Sequence, residues 1–353
     1  MILVLRALGV GDLATAVPAL RGLRAAFPDR TLALAAPVWL EPLVDLVGGV
    51  DRLVPTDGLE GVEWPGPAPH WAVNLHGRGP RSHRLLQAAG PERLCAFHNE
   101  EADHTDGPPW SADEHEVDRW CRLLDWYDVP SDPTDLSLRR PSPHRVPVGV
   151  TVVHPGAKIA AKRWSPGRFA AVARELGRSG HRVVVTGSAA ERDLAEQVAH
   201  RAGLPGTAVL AGRLDLSGLA AVVAHSRLVV SADTGVAHLA TAYGIPSVVL
   251  FGPVRPEHWG PPVDRPWHRA LWAAALAESA PDTGSELPEL DPEVPDSVPV
   301  EGDSERFRPH PTLAAIGIEQ VLAAVDEVDH VRPVRTAGAT SRAVARDRHA
   351  IAT

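Results

Sequence analysis

Four groups of side chains in this chain have the types and spacing to do chemistry. In the run RALGVGD, Asp12 follows Gly9 and Gly11 where the apolar run ILVL gives way to a helical pattern. Glycines there allow a tight turn and the close approach of a ligand. Asp12 then has two readings: a carboxylate that caps the open N–H groups of a helix start, or a base that accepts a proton at the edge of a cleft. In SADTGVAH, Asp233, Thr234 and Gly235 stand between a buried apolar run and a helix, and His238 follows three residues after Gly235. Open N–H groups at such a helix start, with the Thr234 hydroxyl, suit the phosphate end of a nucleotide. Asp233 would repel phosphate if it pointed inward, so it is expected to orient the turn or to meet sugar hydroxyls. His238 shares the side of the helix that Gly235 opens, as a ligand contact or as a packed histidine. In HPGAKIAAKRW, His154 and Gly156 mark a strand exit, and Lys158, Lys162 and Arg163 follow. A lysine there binds phosphate as a mobile point charge, or both lysines are simply solvated. In NLHGRG, Asn74, His76 and Arg78 lie just beyond another strand. They suit sugar hydroxyls or an anionic partner, or they hold their own loop.

These residues need a scaffold that brings strand exits together. Apolar runs predict strands at 2–5, 31–35, 51–54, 71–75 and 93–97, with helices over Leu13–Phe27, from Pro37 and over 81–89. Pro130, Pro133, Pro141, Pro143 and Pro147 then mark a domain connection. The alternation restarts with strands at 148–153, 182–187, 227–231 and 247–251, and with helices at 166–178, 189–202, 216–225, just after Asp233, and at 313–328. Strand–helix alternation predicts α/β units with parallel sheets. Two such units in series predict facing domains with a cleft, 1–140 and 141–328, followed by a tail over 329–353. Residues 278–305 carry ten acidic side chains, no Lys or Arg, and five prolines, which reads as a solvent-facing insertion.

Composition narrows the function. The 353 residues are 44 % hydrophobic, enough for a sizeable core. With 35 Lys and Arg against 44 Asp and Glu, the net charge of −9 disfavours a dedicated nucleic-acid binder. Cys95 and Cys121 form no metal or redox motif, and the spacing of His98, His104 and His115 defines no metal cage. Ala14 breaks the dinucleotide-binding glycine pattern, and the phosphate-loop motif GxxxxGK[ST] is absent. No apolar run has the length of a transmembrane helix, and the apolar start, interrupted by Arg6 and Asp12, reads as strand, loop and helix rather than as a signal peptide. The expected location is cytoplasmic, with peripheral membrane contact left open; oligomeric state has no signature.

Together, LGVGDLATAVPALRGLR, HPGAKIAAKRWSPGRF and SADTGVAHLATAYGIPSVVLFGP resemble, in their order, the bacterial heptosyltransferase-like family, glycosyltransferase family 9. The resemblance extends from residue 2 to about 260. It implies the GT-B arrangement, two facing Rossmann-like domains with the acceptor on the first and a nucleotide-sugar on the second. It implies inverting transfer of a sugar, with heptose and ADP favoured, to an alcohol of a saccharide or small molecule, without a required cofactor or metal. On this resemblance Asp12 matches the general base, and Lys162 matches a donor-phosphate contact. Asp233, Thr234, Gly235 and His238 match the DTGxxH donor pattern. His154, Gly156, Lys158 and Arg163 are further donor candidates, and Asn74, His76 and Arg78 are acceptor candidates. The chain departs from the family at Leu8–Gly9–Val10, where serines are frequent, and at Lys158, where a small hydroxyl residue is frequent. A nucleotide-sugar epimerase and a non-catalytic nucleotide-sugar-binding protein remain the alternatives.

Overall fold

The computed structural model of this chain describes residues 1–60, 64, 66–273 and 310–331. The first unit runs β1 (Ile2–Leu5), α1 (Val10–Thr15), α2 (Val17–Ala26), β2 (Leu32–Ala36), α3 (Glu41–Val47), β3 (Arg52–Pro55), β4 (Trp71–Asn74), α4 (Arg81–Gln87), β5 (Arg93–Cys95) and α5 (Glu116–Trp126). The second runs β6 (Thr151–His154), α6 (Pro166–Arg178), β7 (Val183–Val185), α7 (Arg192–Ala202), α8 (Leu216–Ala224), β8 (Leu228–Ala232), α9 (Gly235–Tyr243), β9 (Ser247–Leu250), α10 (Pro256–Trp259) and β10 (His268–Leu271). Two last helices, α11 (Pro311–Ala314) and α12 (Ile318–Asp329), return to the second unit. The acidic stretch 278–305 and most of the expected tail lie outside the described residues.

Each unit is a five-stranded parallel sheet, in the orders β3-β2-β1-β4-β5 and β10-β9-β8-β6-β7. The expected pair of facing Rossmann-like lobes, a GT-B fold, is present. The central strands ILVL and LVVSA are buried along their whole length, because helices cover both faces of such a sheet. In the first lobe the chain moves outward from β1 through β2 to β3, then crosses back to β4 and β5. In the second lobe β6 likewise has β7 on one side and β8 on the other. The order therefore reverses between β1 and β4, and between β6 and β8, and a parallel sheet opens a crevice at the carboxyl ends of the strands at such a point. All four motif groups follow one of these four strands.

Several boundaries differ from those expected. The helix predicted over Leu13–Phe27 starts earlier, at Val10, and breaks at Ala16. Pro18 lacks an N–H and sits in the first turn of a new helix, which restarts there. The strand predicted from residue 148 begins at Thr151, because Gly149 takes a positive φ of 69°. Helix α5 and strand β10 were not anticipated. The final helix splits around Gly317, which caps α12.

The lobes share core. Leu13, Val17 and Leu43 of the first join Val150, Val222, Val236 and Leu239 of the second in one buried apolar cluster. The connecting segment is tied down as well: Leu138 N–H donates to Ala242 O at 3.3 Å, and Arg140 donates to Ala224 O and, at 2.7 Å, to Tyr243 O. Above this core the starts of α1 and α9 abut. A Cβ at Gly11 would lie 2.7 Å from His238 Cδ2, and one at Gly235 would lie 2.7 Å from Val10 Cβ. Only glycine fits at either point. Gly235→Val is therefore expected to destabilise the protein by ~1–3 kcal/mol, the usual cost of overpacking, measured by urea unfolding against Gly203→Ala. Gly203 has nothing within 4 Å of a Cβ, and its own cost comes from its φ of +74°. A Gly235→Val protein as stable as the wild type would contradict the contact.

Candidate active site

The first lobe contributes the exits of β1 and β4. Asp12 stands in the opening turn of α1, where its Oδ2 accepts the Gly9 N–H at 3.0 Å. The capping reading is thus realised by one oxygen. The other, Oδ1, lies 3.6 Å from Arg6 Nη2, and the side chain keeps 22 % of its exposure. A carboxylate has about four lone-pair sites, so these contacts leave Asp12 able to take a proton from a ligand. At the β4 exit, His76 Nδ1 accepts the Ala7 N–H at 3.2 Å, which leaves the ring proton on Nε2. Burial first, and Arg6 second, push the His76 pKa down to about 4. Asn74 is fully buried, and its amide is spent on the loop itself: Nδ2 donates to Ser82 Oγ at 2.9 Å, and Oδ1 accepts the His76 N–H at 3.0 Å. Of the three acceptor candidates, Asn74 therefore holds the loop, while Arg78 lies exposed on its rim.

The second lobe contributes the exits of β8 and β6. Thr234 caps α9 with extended backbone. Among the described residues its Oγ1 is buried without a hydrogen-bond partner, as is Ser231 Oγ. The Thr234 hydroxyl and the open N–H groups at the head of this nine-residue helix have the chemistry to donate to an oxyanion. Asp233 does not face that place alone. Its Oδ2 accepts Lys162 Nζ at 2.6 Å, and its Oδ1 lies 3.9 Å from His238 Nε2. It thus orients a lysine rather than repelling phosphate, and Lys162 keeps two of its three N–H donors for a ligand.

His238 joins the lobes. Its ring rests against the Gly11 backbone on one side and meets Trp259 edge-on at 5.8 Å on another. Burial pushes its pKa down; Asp233 and Asp12 oppose that shift, and Lys162 and His115 add to it. The sequence candidates Asp12, Lys162, Asp233, Thr234, Gly235 and His238 are therefore brought to one place.

The other donor candidates lie along the β6 exit. His154 is buried with Nδ1 3.0 Å from Thr186 Oγ1, and burial lowers its pKa against the pull of Glu191. Arg163 Nε donates to Ala157 O at 2.7 Å and so braces the turn that carries Lys162. Lys158 is exposed on that turn. Gly156 lies directly against the Glu191 carboxylate, which would have to swing aside for any larger residue. Glu191 was missed by sequence reading, although Ser188 and Glu191 carry a capping-box spacing at the β7 exit, and the Ser188 N–H does reach Glu191 Oε2 at 2.8 Å. Arg6, Glu116 and His115 were missed too. His115 caps α5 through Nδ1, and its Nε2 reaches Gly260 O across the lobes at 3.1 Å. Among the described residues no group of three or more His, Cys, Asp or Glu side chains could hold a metal ion, and no helix is long and apolar enough to cross a membrane.

The chain is similar to known proteins in sequence and in fold. The family model described as "Glycosyltransferase family 9 (heptosyltransferase)" matches residues 106–284. The chain is 36 % identical over 155 residues to "Lipopolysaccharide heptosyltransferase 1" of Pseudomonas aeruginosa, covering 42 % of each. It is 29 % identical over 182 residues to "Lipopolysaccharide heptosyltransferase 3" of Escherichia coli, covering 50 % of this chain and 46 % of that one. The chain thus spans under half the length of these curated relatives. Its fold is similar to the structure of "E. coli ADP-heptose lps heptosyltransferase II", with a TM-score of 0.69 at 20 % identity, covering 93 % of this chain and 98 % of that one.

The buried imidazoles make a pH prediction. His76, His154 and His238 are all held below the ordinary value of 6.5, chiefly by burial. Below that value the unfolded chain binds protons that the folded chain refuses, so stability falls as pH falls from 6.5, for His76 down to about 4. The thermal midpoint is expected to drop by several degrees, roughly, between about pH 7 and about pH 5. His76→Gln, measured by the same melts, should flatten that dependence; an unchanged slope would reject the assignment to His76.

Proposed function

This chain belongs to glycosyltransferase family 9, and from that premise we propose that it is an inverting glycosyltransferase that moves a sugar from a nucleoside diphosphate to an alcohol. The observation that carries the reading is the meeting, across the lobes, of a partly open carboxylate, Asp12, with the anion-ready start of α9. Proton acceptor and leaving-group site belong to different lobes, which gives each of two substrates its own lobe.

In this reading the acceptor enters along the first lobe, past His76 and Arg78. Its hydroxyl oxygen attacks the anomeric carbon while Asp12 takes the proton, since a neutral alcohol is a poor nucleophile. The bond from the anomeric carbon to the diphosphate oxygen breaks, and its electron pair leaves with the nucleoside diphosphate. Lys162, the Thr234 hydroxyl and the N–H groups at the start of α9 stabilise that growing charge. Asp233 keeps Lys162 in reach, and His238, held neutral, offers one N–H to the donor. Glu191, beside Gly156 and past the exit of β7, suits ribose hydroxyls, as a carboxylate after the second strand of such a unit does. One displacement inverts the anomeric centre. No metal or cofactor is assigned a step, because lysine and helix terminus supply the positive charge. Heptose is the favoured sugar on the family description and on the named curated relatives, and ADP is the nucleotide that the resemblance of the sequence favours; the acceptor class is a saccharide or a small alcohol. The reaction is assigned to the cytoplasm, with peripheral membrane contact open to a lipid-linked acceptor.

Incubation with ADP-, GDP- and UDP-sugars and a panel of acceptors, read by mass spectrometry, tests the activity. Asp12→Asn is expected to lower the transfer rate about 10²–10⁴-fold with donor binding by calorimetry unchanged. Lys162→Met is expected to weaken donor binding about 10–100-fold, the loss of a charge-assisted hydrogen bond. Folded D12N that transfers at the wild-type rate would falsify the base assignment.

A further inference from the structure

A buried arginine stands behind Asp12. Arg6 follows β1 directly and is 1 % exposed. Its Nε donates to the backbone oxygen of Asp12 at 3.0 Å, and Nη1 donates to Leu75 O at the β4 exit. Nη2 donates to Thr15 Oγ1 at 3.2 Å and to Glu116 Oε1 at 2.9 Å, and lies 3.6 Å from Asp12 Oδ1. The guanidinium rests over the Trp120 ring at 4.7 Å. One planar cation thus ties α1, both central strand exits and α5 together.

Glu116 is what makes that cation affordable inside the lobe, since an unpaired buried charge is strongly destabilising. Glu116 opens α5 and also accepts Trp120 Nε1 at 2.9 Å and an Arg119 N–H. Arg119 is in turn held by the carbonyls of Ser111 at 3.2 Å and Glu114 at 3.1 Å. With its donors turned inward, Arg6 has no reach to a substrate. Its effect passes through Asp12.

We infer that the Arg6–Glu116 pair is the positioning device of Asp12: it fixes the carboxylate beside the cleft and sets the charge that faces it. Its meaning for transfer rests on the reading of Asp12 as the base; its effect on the carboxylate does not. The groups that face Asp12 are Arg6 from the β1 exit, with Glu116 behind it from α5, and His238 from α9, with Asp233 and Lys162 beyond it. His76 from the β4 exit borders the same arginine. Arg6 is the permanent cation nearest to the carboxylate among them. Removing it should raise the Asp12 pKa, and removing the charge of Glu116 should leave Arg6 a stronger influence and lower it.

The test is a carbon-13 NMR titration of protein labelled in its aspartate carboxyls, with the Asp12 signal assigned by its loss in D12N. Arg6→Met is expected to move the Asp12 midpoint up by at least about one pH unit, and Glu116→Gln to move it down. Arg6→Lys keeps the charge without the fork, so it should restore the midpoint more fully than the turnover rate. The acid limb of the rate profile should follow the same directions, with the KM for the nucleotide-sugar unchanged. A merely structural role would lower stability in every variant and leave the midpoint in place. If Arg6→Met fails to fold, Arg6→Met/Glu116→Gln removes both charges and is still expected to raise the midpoint. An unmoved Asp12 titration in whichever variant folds overturns the inference. A shifted titration supports it even if no donor is turned over, in which case it is the transferase reading that fails.

Discussion

Two helix starts from different lobes touch, each placing a glycine against a side chain of the other. Gly11 lies on the His238 ring and Gly235 lies on Val10, so the backbones of α1 and α9 approach as closely as packing allows. Everything proposed for the site depends on that approach. Asp12 sits one residue after Gly11, and Thr234 sits one residue before Gly235. Larger residues at the two glycines would push the proton acceptor and the anion site apart, and a small separation of reacting groups is enough to remove most of the benefit of alignment. The shared apolar cluster beneath, with Leu13 and Val17 against Val236 and Leu239, supplies the pressure that keeps the two starts together.

Charge is arranged on the same plan. The chain as a whole is acidic, yet acidic side chains of its crevice are matched by basic ones. Its charges are paired and partly buried: Arg6 with Glu116, and Lys162 with Asp233. The pairing satisfies the cost of burial and leaves each lobe one usable function, a carboxylate on the first and an ammonium on the second. His238 between them is kept neutral by burial. A third charge placed there would favour one partner at the expense of the other. The first lobe therefore presents a carboxylate and the second an ammonium with N–H groups at a helix start, as the proposed transfer would use them.

Much of the scaffold was legible because parallel strands buried on both faces must be continuous apolar runs. ILVL, LALAA, LVVSA and SVVL announce themselves in that way, and the residues after them announce strand exits. The helix expected over 166–178 is α6 with the same bounds, since Pro166 at the first helical position needs no N–H partner. Helix α5 escaped notice because its buried face mixes Val117, Trp120 and Leu124 with the buried charges Glu116 and Arg119. A reading based on apolar spacing discounts such charges. Pro18 was read as part of one long helix, although its missing N–H restarts the helix there.

The amino-acid sequence by itself determined which residues stand at strand exits, and hence that Asp12, Lys162, Thr234 and His238 were candidates. That information is local: apolar runs, glycines and helix starts are written within a few neighbouring residues. Only the tertiary structure decided who partners whom. Lys162 and Asp233 are 71 residues apart, and Arg6 and Glu116 are 110 apart. Those pairs arise from the order of strands in each sheet and from the way the lobes abut, and neither leaves a trace in the spacing of residues along the chain.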